Sequence, residues 1–142
     1  MKVKELMTDR VVKIHPGEAV SVAARTMTHY NIGSVPVCDE HGKLCGILTD
    51  RDIVTRCLAG NRCVETTTVG EIMTAQVVSV QPETEASAAA HMMGSRQIRR
   101  LPVVKNGDLC GMVSLGDLAN SAQCTYDAGD ALAEITGNIS NR

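Results

Sequence analysis

The chain has 142 residues, enough for one compact domain or two small halves with a real core that needs neither disulfides nor metal. Apolar residues make up 44% of it, yet Tyr30 and Tyr126 are its only Phe, Trp or Tyr, so the core has to be built from Val, Ile, Leu, Met and Ala. A net charge of −2 and this lack of aromatics argue against nucleic-acid binding, which wants a basic face and stacking platforms.

The first residues, Met1-Lys2-Val3-Lys4-Glu5-Leu6, lack the apolar stretch of a signal peptide. No uncharged apolar run approaches the ~20 residues that span a bilayer. The chain therefore reads as cytoplasmic, with no membrane association and with six reduced, mostly buried cysteines. After a short opening helix, residues 10–14 read as a strand ended by Pro16-Gly17. Ala19, Val20, Ala23, Met27 and Tyr30 fall at helical spacing and predict a helix over 19–30. Strands at 35–38 and 43–48 flank the turn Asp39-Glu40-His41-Gly42, and a helix over 50–58 closes this half. Residues 59–68 form a linker. A second helix is expected at 84–95 from Ala86, Ala89, Ala90 and Met93, a hairpin at Asn106-Gly107, and a closing helix at 116–121. The tail, 122–142, carries one short helix at 127–136, with Asp127 as N-cap and Gly137 as stop.

These elements come in two copies. Val3-Lys4-Glu5-Leu6-Met7-Thr8 returns 66 residues later as Val69-Gly70-Glu71-Ile72-Met73-Thr74. Pro16 returns as Pro82, Ser21, Ala23, Ala24 and Met27 as Ser87, Ala89, Ala90 and Met93, and Pro36-Val37 as Pro102-Val103. After one deletion, Leu44-Cys45-Gly46 returns as Leu109-Cys110-Gly111, and Asp52 as Asp117. The period is too long for a solenoid unit and marks a duplicated half-domain, 2–58 and 69–121. The fold class is α/β (α+β): two β-α-β-β-α repeats packed sheet to sheet about a pseudo-twofold axis, leaving two equivalent clefts.

Both copies carry Gly, two apolar residues, Ser or Thr, two variable residues and Asp: Gly46-Ile47-Leu48-Thr49-Asp50-Arg51-Asp52 and Gly111-Met112-Val113-Ser114-Leu115-Gly116-Asp117. An ionised Asp in a first helical turn can accept bonds from two neighbouring ribose hydroxyls. The hydroxyl and the free helix-start N–H groups can take a phosphate. The competing reading is that Thr49 with Asp52, and Ser114 with Asp117, merely cap helices. Recurrence at matching positions of a duplicated cleft favours a ligand.

This pattern, with Ile32-Gly33-Ser34-Val35-Pro36-Val37 and Ile98-Arg99-Arg100-Leu101-Pro102-Val103, resembles the cystathionine-β-synthase (CBS) domain. Over roughly residues 2–121 the chain looks like a tandem CBS pair, or Bateman module, of the short bacterial stand-alone kind. The resemblance implies a non-catalytic regulatory sensor without a resident cofactor. Its ligand would be adenosine-containing: AMP, ADP or ATP first, with NAD or S-adenosylmethionine as further options. It also implies that one site combines Thr49 and Asp52 with Ile98, Arg99 and Arg100. The other would combine Ser114 and Asp117 with Ile32, Gly33, Ser34 and Val35. Arg99 and Arg100 would neutralise phosphates where the other site has Gly33 and Ser34, unless they are simply solvated charges. Such pairs commonly form disc-like homodimers through helical faces, here the Ala-rich helices 19–30 and 84–95, and pass their signal to a protein partner that the sequence does not name.

Two rival readings stay open: a scaffold with vestigial clefts, and a thiol redox sensor suggested by the six cysteines alone. His15, His29, His41 and His91 show no zinc spacing, although His15 could touch a ligand. No nucleophile–base pair or carboxylate dyad supports catalysis.

Overall fold

A computed structural model describes residues 1–121 and 124–140, so residues 122–123 and 141–142 of the expected tail lie outside the described residues. The chain divides into two compact units. Unit 1 comprises Met1–Val11 with Val78–Arg142, and unit 2 comprises Val12–Val77. Each unit therefore takes its opening segment from the other sequence repeat.

In unit 2, helix α1 (Val20–Tyr30) leads to the antiparallel pair β1 (Ser34–Cys38) and β2 (Leu44–Thr49). One α-turn, α2 (Asp50–Asp52), then runs into a π-helix over Ile53–Leu58. The wide turn shows in the bond from the Ala59 N–H to the Val54 carbonyl, five residues back. The short helix α3 (Val69–Ile72) completes the unit. Val20, Ala23 and Met27 of α1 close on Val35, Val37 and Leu48 of the hairpin and on Val69 and Ile72 of α3. Burial of each of these Val, Met, Leu and Ile side chains is worth ~1.5–3 kcal/mol.

Unit 1 repeats this plan with helix α4 (Ala86–Arg96), strands β3 (Arg100–Lys105) and β4 (Asp108–Ser114), and helix α5 (Leu115–Ala119). Its opening segment includes a 3-10 turn at Val3–Glu5, strapped down by bonds from Val3 N–H to Thr84 O and from Lys4 N–H to Pro82 O. A final helix, α6 (Thr125–Ser140), seals the core with Ala128, Ala131 and Ile135. The Asn106-Gly107 turn has φ of 54° and 85°, the left-handed pair that a two-residue hairpin requires.

The repeated Gly46 and Gly111 have a packing reason. A Cβ on Gly111 would stand 2.6 Å from the Thr8 carbonyl oxygen, and one on Gly46 would stand 2.9 Å from that of Thr74. Thr8 bridges Met112 and Thr74 bridges Ile47, so the opening segment of each unit crosses the hairpin at its glycine.

Several expectations need correction. The strand at 10–14 shrinks to a single parallel bridge from Ile14 to Val37, matched by Val80 to Val103 in unit 1. Extending either bridge by two residues would require an N–H from Pro36 or Pro102, which proline lacks. The helix expected at 50–58 is mostly π-helical, and that expected at 116–121 spans Leu115–Ala119. In the tail, Asp127 is not a cap and Gly137 is not a stop: α6 starts at Thr125 and runs through both. Tertiary burial of its Ala128–Ala131–Ile135 stripe outweighs the modest helix cost of its two glycines, Gly129 and Gly137.

Candidate functional site

Both Ser/Thr-x-x-Asp segments are reciprocal helix caps. The Asp52 N–H donates to Thr49 Oγ1 and the Thr49 N–H to Asp52 Oδ2, each at 3.0 Å. In unit 1 the Asp117 N–H donates to Ser114 Oγ at 3.0 Å and the Ser114 N–H to Asp117 Oδ2 at 2.8 Å. Capping and ligand readings are thus not exclusive. The cap fixes each hydroxyl and carboxylate at the point where a strand ends.

The second carboxylate oxygens differ. Asp52 is only 7% exposed, and its Oδ1 faces Arg56 Nε at 3.7 Å. Arg56 in turn donates to the carbonyls of Ile72 and Met73 at 3.1 Å. The matching position in unit 1 is Ser121, and among the described residues Asp117 Oδ1 has no partner. The counter-ion was missed from sequence, although its i+4 spacing from Asp52 was the available signal.

Register places the remaining candidates. In unit 2, Ser34 lies opposite Thr49, and the Asp50 N–H donates to the Gly33 carbonyl at 3.0 Å. In unit 1, Arg100 lies opposite Ser114, and the Leu115 N–H donates to the Arg99 carbonyl at 2.8 Å. The structure thus brings Gly33 and Ser34 beside Thr49 and Asp52, and Arg99 and Arg100 beside Ser114 and Asp117. Ile32 and Ile98 are half-buried against their own cores. Val35 is fully buried, so its side chain belongs to the core of unit 2.

Each unit has one open concavity at this place. That of unit 1 holds about 590 Å³ and is lined by Arg99, Arg100, Ser114 and Gly116 together with Gly129 and Leu132 of α6. That of unit 2 holds about 490 Å³ and is lined by Ile32, Gly33 and Asp50 with residues of α1 and the π-helix. Both volumes suit a small ligand. Their charges are opposite. Among the described residues Arg99 and Arg100 have no carboxylate partner, and no acid lines their pocket. In unit 2 a Cβ on Gly33 would sit 3.2 Å from Asp50 Oδ2, so a carboxylate stands where unit 1 has Leu115 and the arginine pair.

The other singled-out residues stay outside these pockets. His15 accepts from the Gly17 N–H through Nδ1 at 2.9 Å and faces Glu40 through Nε2 at 3.3 Å. No three His, Cys, Asp or Glu side chains converge among the described residues. All six cysteines are unpaired, and burial pushes the Cys38 and Cys45 thiols up. That lowers their thiolate fraction and weakens the redox reading. Among the described residues no helix is long and apolar enough to cross a membrane.

The family description "CBS domain" matches residues 3–59 and 69–123. The chain is 41% identical over 134 residues to the CBS domain-containing protein YhcV of Bacillus subtilis, covering 94% of each chain. It is similar in structure to Hypoxic Response Protein I solved with two coordinated zinc ions (TM-score 0.78, 31% identity, 84% of this chain and 97% of that one). It is also similar to the CBS domain pair of protein MJ0100 in complex with 5′-methylthioadenosine and S-adenosyl-L-methionine (TM-score 0.74, 31% identity, 84% and 97%). With the duplicated hairpin, the capped Ser/Thr-x-x-Asp turns and these likenesses together, the chain belongs to the CBS-domain family as a tandem pair.

Proposed function

We propose that this protein is a non-catalytic regulatory module that binds adenosine-containing ligands and relays their presence to a separate protein partner. The observation that carries the reading is the unit 1 pocket, where two guanidinium groups without carboxylate partners among the described residues stand beside a capped Ser/Asp turn. Arg99 and Arg100 take the phosphates of AMP, ADP or ATP. Asp117, whose Oδ1 has no partner among the described residues, accepts from ribose hydroxyls. In unit 2 the lining carboxylate of Asp50 disfavours phosphate and suits a neutral or cationic adenosyl compound. The neighbour solved with 5′-methylthioadenosine and S-adenosyl-L-methionine supports that chemistry.

The self-association reading shifts with the structure. The small-residue face of α4 is already covered within its own unit, since a Cβ on Gly94 would stand 3.1 Å from Ala131 Cα of α6. Unit 2 leaves Val22 and Tyr30 of α1 and Val54 and Leu58 of the π-helix exposed. A homodimer that uses α1 of unit 2 would cover Val22 and Tyr30. Reduced, unpaired thiols fit a cytoplasmic setting.

The scaffold reading has one observation in its favour: Asp52 is already satisfied by the Thr49 N–H and Arg56, which leaves the unit 2 turn little free acceptor capacity. A thermal-shift screen with AMP, ADP, ATP, NADH, S-adenosylmethionine and GTP separates the two. Saturation at 100 times Kd stabilises by about 2.7 kcal/mol, a shift of several degrees. Shifts with adenine ligands but not GTP are expected. Silence with all of them would leave the scaffold.

A further inference from the structure

Helix α6 begins beyond the family match, which ends at residue 123, and nothing in unit 2 corresponds to it. It packs on α4 through Ala128, Ala131 and Ile135, and the same first turns supply Thr125, Ala128, Gly129 and Leu132 to the pocket that holds Arg99 and Arg100. Gly129 faces open space, with nothing within 4 Å of where a Cβ would stand. Leu132 is 42% exposed, an apolar edge on that pocket. The unit 2 concavity, which lacks such a helix, is lined by α1, by the segment 31–33 that precedes β1 and by the α2–π-helix segment.

From this geometry we propose that α6 is a ligand-bearing wall of the unit 1 pocket. Gly129 and Leu132 receive the apolar base of a phosphorylated nucleoside whose phosphates meet Arg99 and Arg100. Occupancy therefore clamps α6 onto its unit, and the C-terminal helix is the part of the protein whose docking reports the ligand. A ligand bound only to the docked form must stabilise that form by its own binding free energy. The inference rests on the nucleotide reading above and goes beyond it by naming the element that senses.

The test uses the full chain with ATP as probe. Backbone amide exchange over residues 125–137 is measured with and without ATP, and ATP affinity is measured for wild type and Gly129→Leu. Leucine at 129 is a better helix former than glycine and its Cβ meets no neighbour, so the variant is expected to melt no lower than wild type while its branched end fills the pocket. ATP should slow exchange along α6, and Gly129→Leu should weaken ATP binding at least tenfold. Normal ATP binding by wild type, with α6 exchange unchanged and the variant's affinity unaltered, would overturn the wall while sparing the nucleotide reading. Wild type that binds no adenine nucleotide overturns both.

Discussion

Removing the paired guanidinium groups offers a direct test of the unit 1 pocket. Both Arg99 and Arg100 are exposed, and neither has a carboxylate partner among the described residues. Their structural bonds run through the main chain, from Leu115 N–H to Arg99 O and along the β3–β4 register, and these survive truncation to alanine. The double variant Arg99→Ala/Arg100→Ala should therefore melt within about 0.5 kcal/mol of wild type, as surface substitutions usually do. Its effect on binding should be larger. A hydrogen bond to a charged group is worth about 1.5–3 kcal/mol, and solvent at this open pocket points to the lower end. Two such contacts at about 1.5 kcal/mol each sum to about 3 kcal/mol, or roughly 140-fold in Kd at 1.4 kcal/mol per decade. Isothermal titration with ATP and with adenosine reads the difference. ATP should weaken by that factor and adenosine by less than about twofold, and the ATP loss should shrink as salt screens the phosphates. Equal losses for the two ligands, or none for ATP, would refute the assignment of phosphates to these residues.

Three further expectations follow from particular contacts. Gly111→Ala drives a Cβ toward the Thr8 carbonyl and should cost about 1–3 kcal/mol in chemical denaturation, whereas Gly129→Ala, in open space on a helix, should raise stability by up to about 1 kcal/mol. Asp52→Ala removes a cap and leaves Arg56 without its acid, so a loss of about 1–2 kcal/mol is expected from melting curves; unchanged stability would mean that the cap is dispensable. The Glu83 and Glu85 carboxyls are held below the ordinary glutamate range by Lys4 and Lys2, which tether the opening segment to unit 1. A lowered folded pKa means that the contribution is present above the ordinary glutamate value and lost as pH falls through the folded one. Melting temperature should therefore drop on the acid side, and Glu85→Gln should flatten that slope. A variant as acid-sensitive as wild type would exclude the tether.

Much of the fold was legible because its signals are local. Proline, glycine and Asn-Gly punctuation, period-2 and period-3.6 apolar spacing, and the 66-residue duplication located both hairpins and the paired helices α1 and α4. The capped turns were legible too, since the spacing from Thr49 to Asp52 and from Ser114 to Asp117 fixes a first helical turn wherever it lies. Tertiary structure decided what depends on distant neighbours. Each opening segment folds onto the other repeat's hairpin because a glycine there leaves out a Cβ that would stand within 3 Å of the crossing carbonyl. The expected first strands shrank to single bridges because Pro36 and Pro102 lack the N–H that a longer ladder needs. Asp52 acquired Arg56, while Asp117 kept an oxygen without a partner among the described residues. Helix α6 outran its glycines because its alanine stripe finds a core to cover. Local pattern writes the elements and their turns, but which polar groups are left over to hold a ligand is settled only when packing has used the rest.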